Sequence, residues 1–170
     1  MTSARLSQPR LRIAATALAL AATLGVAGCT ATGVDAQTNQ QYQAGAGANL
    51  RTGDVQLYNA LAVDNGDGTS TLSTVVLNTT DETQKLDAAS AEVTNGGSPV
   101  DVETAPAIIG PRDTLNTGPA ATVVFTSDDL AAGDYVTVTL LFDKAGEVTI
   151  EAPVVKRTPM YKDVATQPGG

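Results

Sequence analysis

The sequence has no histidine and no tryptophan, and its single cysteine is Cys29. Aromatic residues make up 4% of its 170 positions, and the two methionines are Met1 and Met160. Each shortage removes a class of function. One cysteine cannot form an intramolecular disulfide, so the fold must rest on its apolar core. Without histidine, the usual base for a serine or cysteine nucleophile is missing. No Gly-x-Ser-x-Gly motif is present either. Lys85 and Lys144 fall in expected turns, which suits no Ser–Lys pair. These gaps argue against an enzyme, and they identify no small-molecule substrate and no cofactor.

What is present begins with a targeting segment, residues 1–28. Arg5, Arg10 and Arg12 make a basic n-region, of the kind that stays cytoplasmic. From Ile13 to Ala27 the chain carries no charge. That run is about 15 residues, short of the roughly 20 that a spanning helix needs. It ends Val26-Ala27-Gly28-Cys29, which resembles the bacterial lipobox, with small residues before a cysteine that receives the lipid. The resemblance implies a lipoprotein held on the extracytoplasmic face of the membrane through acylated Cys29. Two acyl chains, palmitate among the common ones, give stable anchoring where a single chain does not.

Removing residues 1–28 takes away three arginines and no acid, leaving seven basic and eighteen acidic side chains, a net charge of −11. Nucleic acid is excluded as a partner, since phosphate binding needs clustered Lys and Arg. Residues 29–53 read as the anchored cysteine followed by a flexible linker. Their polar, Gln-rich and Ala/Gly-alternating composition cannot offset the entropy of ordering. Residues 156–170 read in the same way as a disordered tail. Between them, residues 54–155 suffice for one domain.

In that domain the hydrophobic period is two. Val55, Leu57, Leu61 and Val63 are expected on one face of a first strand. The turn cluster Asp64-Asn65-Gly66-Asp67-Gly68 then leads into a second strand, Thr69 to Asn78. Weaker strands follow near Lys85–Thr94 and Pro99–Glu103, and a fifth at Ala120–Phe125. The alanines near Ser127–Ala132 admit a short helical turn. Tyr135 to Phe142 places Val136, Val138, Leu140 and Phe142 inward. After a turn at Asp143–Glu147, with Gly146 suited to positive φ, the last strand puts Val148, Ile150, Ala152 and Val154 on one side. Pro153 requires that this strand end or lie at an edge. About seven strands with regular turn signals predict an all-β, immunoglobulin- or cupredoxin-like sandwich. Leu130 to Tyr135 looks like the approach to a tyrosine corner, with an ordinary half-buried strand tyrosine as the plainer reading.

Paired carboxylates are the remaining chemistry: Asp64 with Asp67, Asp81 with Glu82, Asp128 with Asp129. Calcium is the metal that oxygen ligands suit. Asp64 and Asp67 are the weak candidates, because Gly66 stands where an EF-hand loop needs a ligand and no glutamate closes the loop. A hairpin turn accounts for them without an ion. Asn78-Thr79-Thr80 matches an N-glycosylation pattern but reads as a turn.

The hairpin from Gly133-Asp134-Tyr135 through Asp143-Lys144-Ala145-Gly146 to Thr149-Ile150, followed by Pro153-Val154, resembles the end of PCu(A)C-type periplasmic copper chaperones. The high Ala, Gly and Thr content suits an actinobacterial lipoprotein of that kind. The resemblance implies a cupredoxin- or immunoglobulin-like sandwich and copper handling. That family holds Cu(I) with histidine and methionine, soft ligands for a soft ion. Here those ligands are absent, so no residue carries over as a copper ligand. The expected function is a membrane-anchored, non-enzymatic binding or accessory module of the cell envelope that engages another envelope protein. The alternative is a metal-handling lipoprotein, copper-chaperone-like or weakly calcium-binding.

Overall fold

The computed structural model describes residues 46–94 and 96–168. They fall within one compact unit, Gln43–Gly170. Ten strands follow in order: β1 (Ala48–Leu50), β2 (Val55–Asp64), β3 (Thr69–Asn78), β4 (Gln84–Val93), β5 (Pro99–Thr104), β6 (Ala107–Ile109), β7 (Thr114–Asn116), β8 (Val123–Thr126), β9 (Tyr135–Phe142) and β10 (Gly146–Lys156). A single 3₁₀ turn, Pro159–Tyr161, comes after them.

The seven expected strands are β2, β3, β4, β5, β8, β9 and β10, and they form a ring. The order is β2-β10-β9-β4-β5-β8-β3, and β3 pairs back to β2. Two contacts in the ring are short. β4 meets β5 only at Ala91↔Val100 and Glu92↔Pro99, and β10 meets β2 only over Val154–Lys156, in parallel. The molecule is therefore a β-sandwich, joined along both sides, in which β5 and β10 each pass from one sheet to the other. Three-residue strands β1, β6 and β7 cover what remains.

Local chemistry explains the hairpins. The β2–β3 turn closes with Asn65 N–H on the Thr69 carbonyl at 2.9 Å, and Gly66 and Gly68 take φ of 80° and 82°. Such left-handed values are unstrained only without a Cβ. Along β9 the alternation predicted from sequence holds, with Val136, Val138, Leu140 and Phe142 all buried. Facing them across the core lie Leu57, Leu72, Val76 and Phe125. Burial of each such side chain contributes about 1.5–3 kcal/mol.

Five expectations are corrected. Leu61 and Val63 do not share a face with Val55 and Leu57. A bulge between Tyr58 and Leu61, with Asn59 at φ 53°, inserts an extra residue and reverses the alternation. Ala60 and Ala62 then join the main core, while Leu61 and Val63 form a second cluster with Val164. For the same reason the segment after Lys156 is not a disordered tail. Val164 is buried against that cluster, and Tyr161 packs on it. The linker does not extend to residue 53, because β1 pairs with β2 at Ala48↔Ala60 and Leu50↔Leu57. The Ala120–Phe125 strand begins only at Val123, since Ala121 turns the chain at φ 44°. Ser127–Ala132 makes turns and no helix.

Candidate functional site

Val26, Ala27, Gly28 and Cys29 lie outside the described residues. The candidate metal residues Asp64 and Asp67 lie in the β2–β3 turn, where both carboxylates serve the backbone. Asp64 Oδ1 accepts the Gly66 N–H at 2.8 Å. Asp67 Oδ1 accepts the Thr69 N–H at 3.0 Å and the Thr69 hydroxyl at 2.6 Å. Those bonds from Thr69 hold the Asp67 carboxyl below its ordinary range. The two acids are thus Asx-type turn acceptors. Among the described residues no three His, Cys, Asp or Glu side chains gather as a metal would require.

The other acidic pairs are dispersed. Asp81 receives two bonds from Arg112, at 2.9 and 3.3 Å, which lower its pKa. Glu82 pairs with Lys144 at 3.3 Å and Lys85 with Asp87 at 2.6 Å. Asp128 lies beside Gly68, and Asp129 N–H donates to Ser127 Oγ at 3.1 Å. These are solvated contacts of small energetic weight. Met160 is the one thioether of the described chain and is 81% exposed. It stands at the rim of a hollow of about 400 Å³ formed with Leu61, Tyr161 and Val164.

Two polar knots gave no signal in the sequence beyond that of turn residues. Asn78 is fully buried. Its Nδ2 donates to the carbonyls of Glu82 at 2.6 Å and Gly110 at 2.8 Å, while Oδ1 accepts the Thr80 N–H at 3.0 Å. Arg157 reaches back from the end of β10. Nη1 donates to the carbonyls of Tyr161 (3.1 Å) and Val164 (2.9 Å), and Nη2 to Asn65 Oδ1 at 2.6 Å. The guanidinium fork therefore ties the C-terminal segment to the β2–β3 turn.

A groove of about 510 Å³ lies between β1 and β10, with Tyr135 at its rim. Tyr135 makes no tyrosine corner: it is 45% exposed, at the start of β9. Below the groove, a smaller hollow of about 190 Å³ continues between Leu50–Val55 and Glu147–Thr149. The opening follows from the topology. β1 and β10 both lie on the side of β2 away from β3, and β10 joins β2 only from Val154 onward. Upstream of that point, among the described residues, β10 forms a ladder with β9, and β1 stands alongside it. Pro153 marks the boundary. The Val154 N–H donates to the Asp134 carbonyl on the β9 side, so the Pro153 nitrogen points to the open side, where no donor is needed. The edge position that Pro153 demands is thus met locally, within a strand that continues to Lys156. That proline was the one signal in the sequence that β10 lacks a ladder partner on that side among the described residues.

No protein-family model matches the chain, and no curated protein matches it. Among solved structures, the fold is similar to the copper-bound PCuAC domain from PmoF2, at a TM-score of 0.50 and 22% identity. The match covers 65% of this chain and 99% of that domain. It is equally similar to the apo PCuAC domain from PmoF1, again at 0.50 and 22%, over 65% of this chain and 100% of that one. The fold is PCuAC-like, as the terminal hairpin implied.

Proposed function

We propose that this chain is an extracytoplasmic lipoprotein, held to the membrane through Cys29, whose PCuAC-like domain is a non-enzymatic binding or accessory module of the cell envelope. One observation carries the reading: the PCuAC-like frame is present without a soft-donor set. The chain has no histidine, and Met160 is its one methionine beyond the targeting segment. A single exposed thioether does not make a Cu(I) site, which draws on several soft ligands. The residues present therefore do not fit the histidine–methionine copper chemistry of the family it resembles. What the domain offers instead is surface, above all the groove beside β10.

A second reading has its own support. One of the similar domains is described as copper-bound, and that likeness favours metal handling, here through Met160 and oxygen ligands. Competition of the complete mature chain against a Cu(I) chelator separates the two. The accessory reading expects no copper transfer to the protein, and the same result from Met160→Leu. Micromolar or tighter binding that Met160→Leu abolishes would replace it with copper handling. Calcium is tested in parallel, by whether it raises the melting temperature of wild type but not of Asp67→Asn. Anchoring is tested by detergent partition: Cys29→Ser should move from the detergent phase to the aqueous phase, and unchanged partition would remove the lipid from this reading.

A further inference from the structure

We infer that residues 157–168 form a displaceable strap, and that the face of β2 and β3 beneath it is a docking surface for an extended partner segment with an aliphatic side chain in the place of Val164. This deepens the accessory-module reading and rests on it for the partner. The bulge at Asn59 turns Leu61 and Val63 out of the main core, so the outer face of β2 carries two large apolar side chains. The outward face of an antiparallel sheet is ordinarily polar where it meets water. Here both residues are buried, at 1% and 0% exposure. Among the described residues their cover is Val164, with Tyr161 and Val155 packed alongside. Once uncovered, such an apolar patch has the character of an interaction site.

Little holds the strap down. Val164 is its one buried residue, and the 3₁₀ turn Pro159–Tyr161 buries none. Segments with so few buried contacts open locally, without global unfolding. The ring of seven strands closes without the strap. Its other attachments are polar. The Ala165 N–H donates to the Gly118 carbonyl at 3.0 Å, and the Thr71 hydroxyl to the Ala165 carbonyl at 2.8 Å. Arg157 Nη1 bonds the Tyr161 and Val164 carbonyls, yet Arg157 Nε is buried with no partner among the described residues. An unmet buried donor weakens the closed state.

The receiving groups stay in place when the strap lifts. Thr71 belongs to β3, and Arg157 Nη2 remains on Asn65 Oδ1 at 2.6 Å, which keeps Nη1 aimed at the site. Gly118 provides the room, since a Cβ there would stand 3.3 Å from Val164 Cγ2. Lys162 and Asp163 of the strap are exposed. The face therefore reads main-chain groups and one aliphatic side chain, the combination in which backbone bonds give affinity and a pocket gives specificity.

The test uses the complete chain from Cys29, carrying Cys29→Ser to keep it in solution. In native-state hydrogen exchange, the Ala165 amide should exchange at least a hundredfold faster than that of Val138 in β9, and with less dependence on denaturant. Equal rates with equal dependence would mean that the strap leaves only on global unfolding, and would overturn the proposal. Two variants then open the strap by different routes. Val164→Asp sets a carboxylate against Leu61 and Val63, and Arg157→Gln removes the guanidinium while leaving the apolar cluster intact. A fluorescent peptide of residues 158–168 should bind both variants at least tenfold more tightly than wild type, whose site is filled by its own strap. The same peptide with Val164→Asp should not bind. Failure of the first peptide to bind either variant, or equal binding to wild type, overturns the docking surface. In cells, an envelope partner cross-linked equally by wild type and Val164→Asp overturns the strap as a cover. Absence of any partner while the peptide still binds overturns the accessory-module reading alone.

Discussion

Asn59 Oδ1 accepts the backbone N–H of Gly47 at 3.1 Å, and the Asn59 N–H in turn donates to Asn49 Oδ1 at 2.9 Å. This exchange holds the bulge of β2 open with Asn59 at φ 53°. It also brings the β1 segment so close that a Cβ on residue 47 would stand 2.4 Å from the Asn59 carbonyl carbon. Backbone atoms cannot yield to such a contact as a flexible side chain would.

Gly47→Ala should therefore displace β1 and destabilise the domain by about 1–3 kcal/mol, the usual cost of overpacking. Chemical denaturation measures it. A midpoint equal to wild type would mean that β1 contributes nothing to the fold.

The C-terminal segment should behave as part of the domain. Val164→Ala removes two methyl groups from the Leu61–Val63 cluster, at about 1–2 kcal/mol by transfer of the lost carbons. Arg157→Lys keeps the charge but cannot span the carbonyls of Tyr161 and Val164 together with Asn65. Limited trypsin digestion should cut Arg157→Lys at Lys162 before wild type. Identical cleavage rates would show that the guanidinium does not hold the segment.

Asn78→Ala should cost about 1–3 kcal/mol, because the Glu82 and Gly110 carbonyls lose a buried donor. Asn78→Asp should be worse still, since it places a carboxylate against the same carbonyls. Thermal unfolding of both variants ranks them, and a more stable Asp variant would contradict the assigned orientation of the amide.

Asp67 has a folded-state pKa lowered by Thr69. A lowered carboxyl pKa stabilises the fold above the unfolded value, near 3.8, and this contribution is lost as pH falls through the folded value. The melting-temperature difference between wild type and Asp67→Ala should thus be constant near neutrality and shrink on acidification below about pH 4. A difference independent of pH would leave Thr69 bonded to Asp67 without any bias toward the ionised form.

Much of the fold could be read from local pattern. The seven ring strands, the inward face of β9 and the glycine turns each depend on residues a few positions apart. Alternation of Val136, Val138, Leu140 and Phe142 needs no distant partner to be recognised. The lack of histidine and the single methionine after Met1 likewise required no coordinates. The bulge at Asn59 was different. An asparagine within an apolar, alternating run takes a left-handed φ only because Gly47 and Asn49, brought alongside by β1, supply its hydrogen-bond partners. Once the alternation is reversed, Leu61 and Val63 face away from the main core, and that is why Val164, a lone valine among polar residues, becomes buried. The groove beside β10 arises in the same way: Pro153 signals an edge, but the groove itself forms because β1 and β10 share one side of β2 without a ladder between them. Strand periodicity is a short-range property of the chain; which face is covered, and which edge is left open, depends on contacts between residues far apart in sequence.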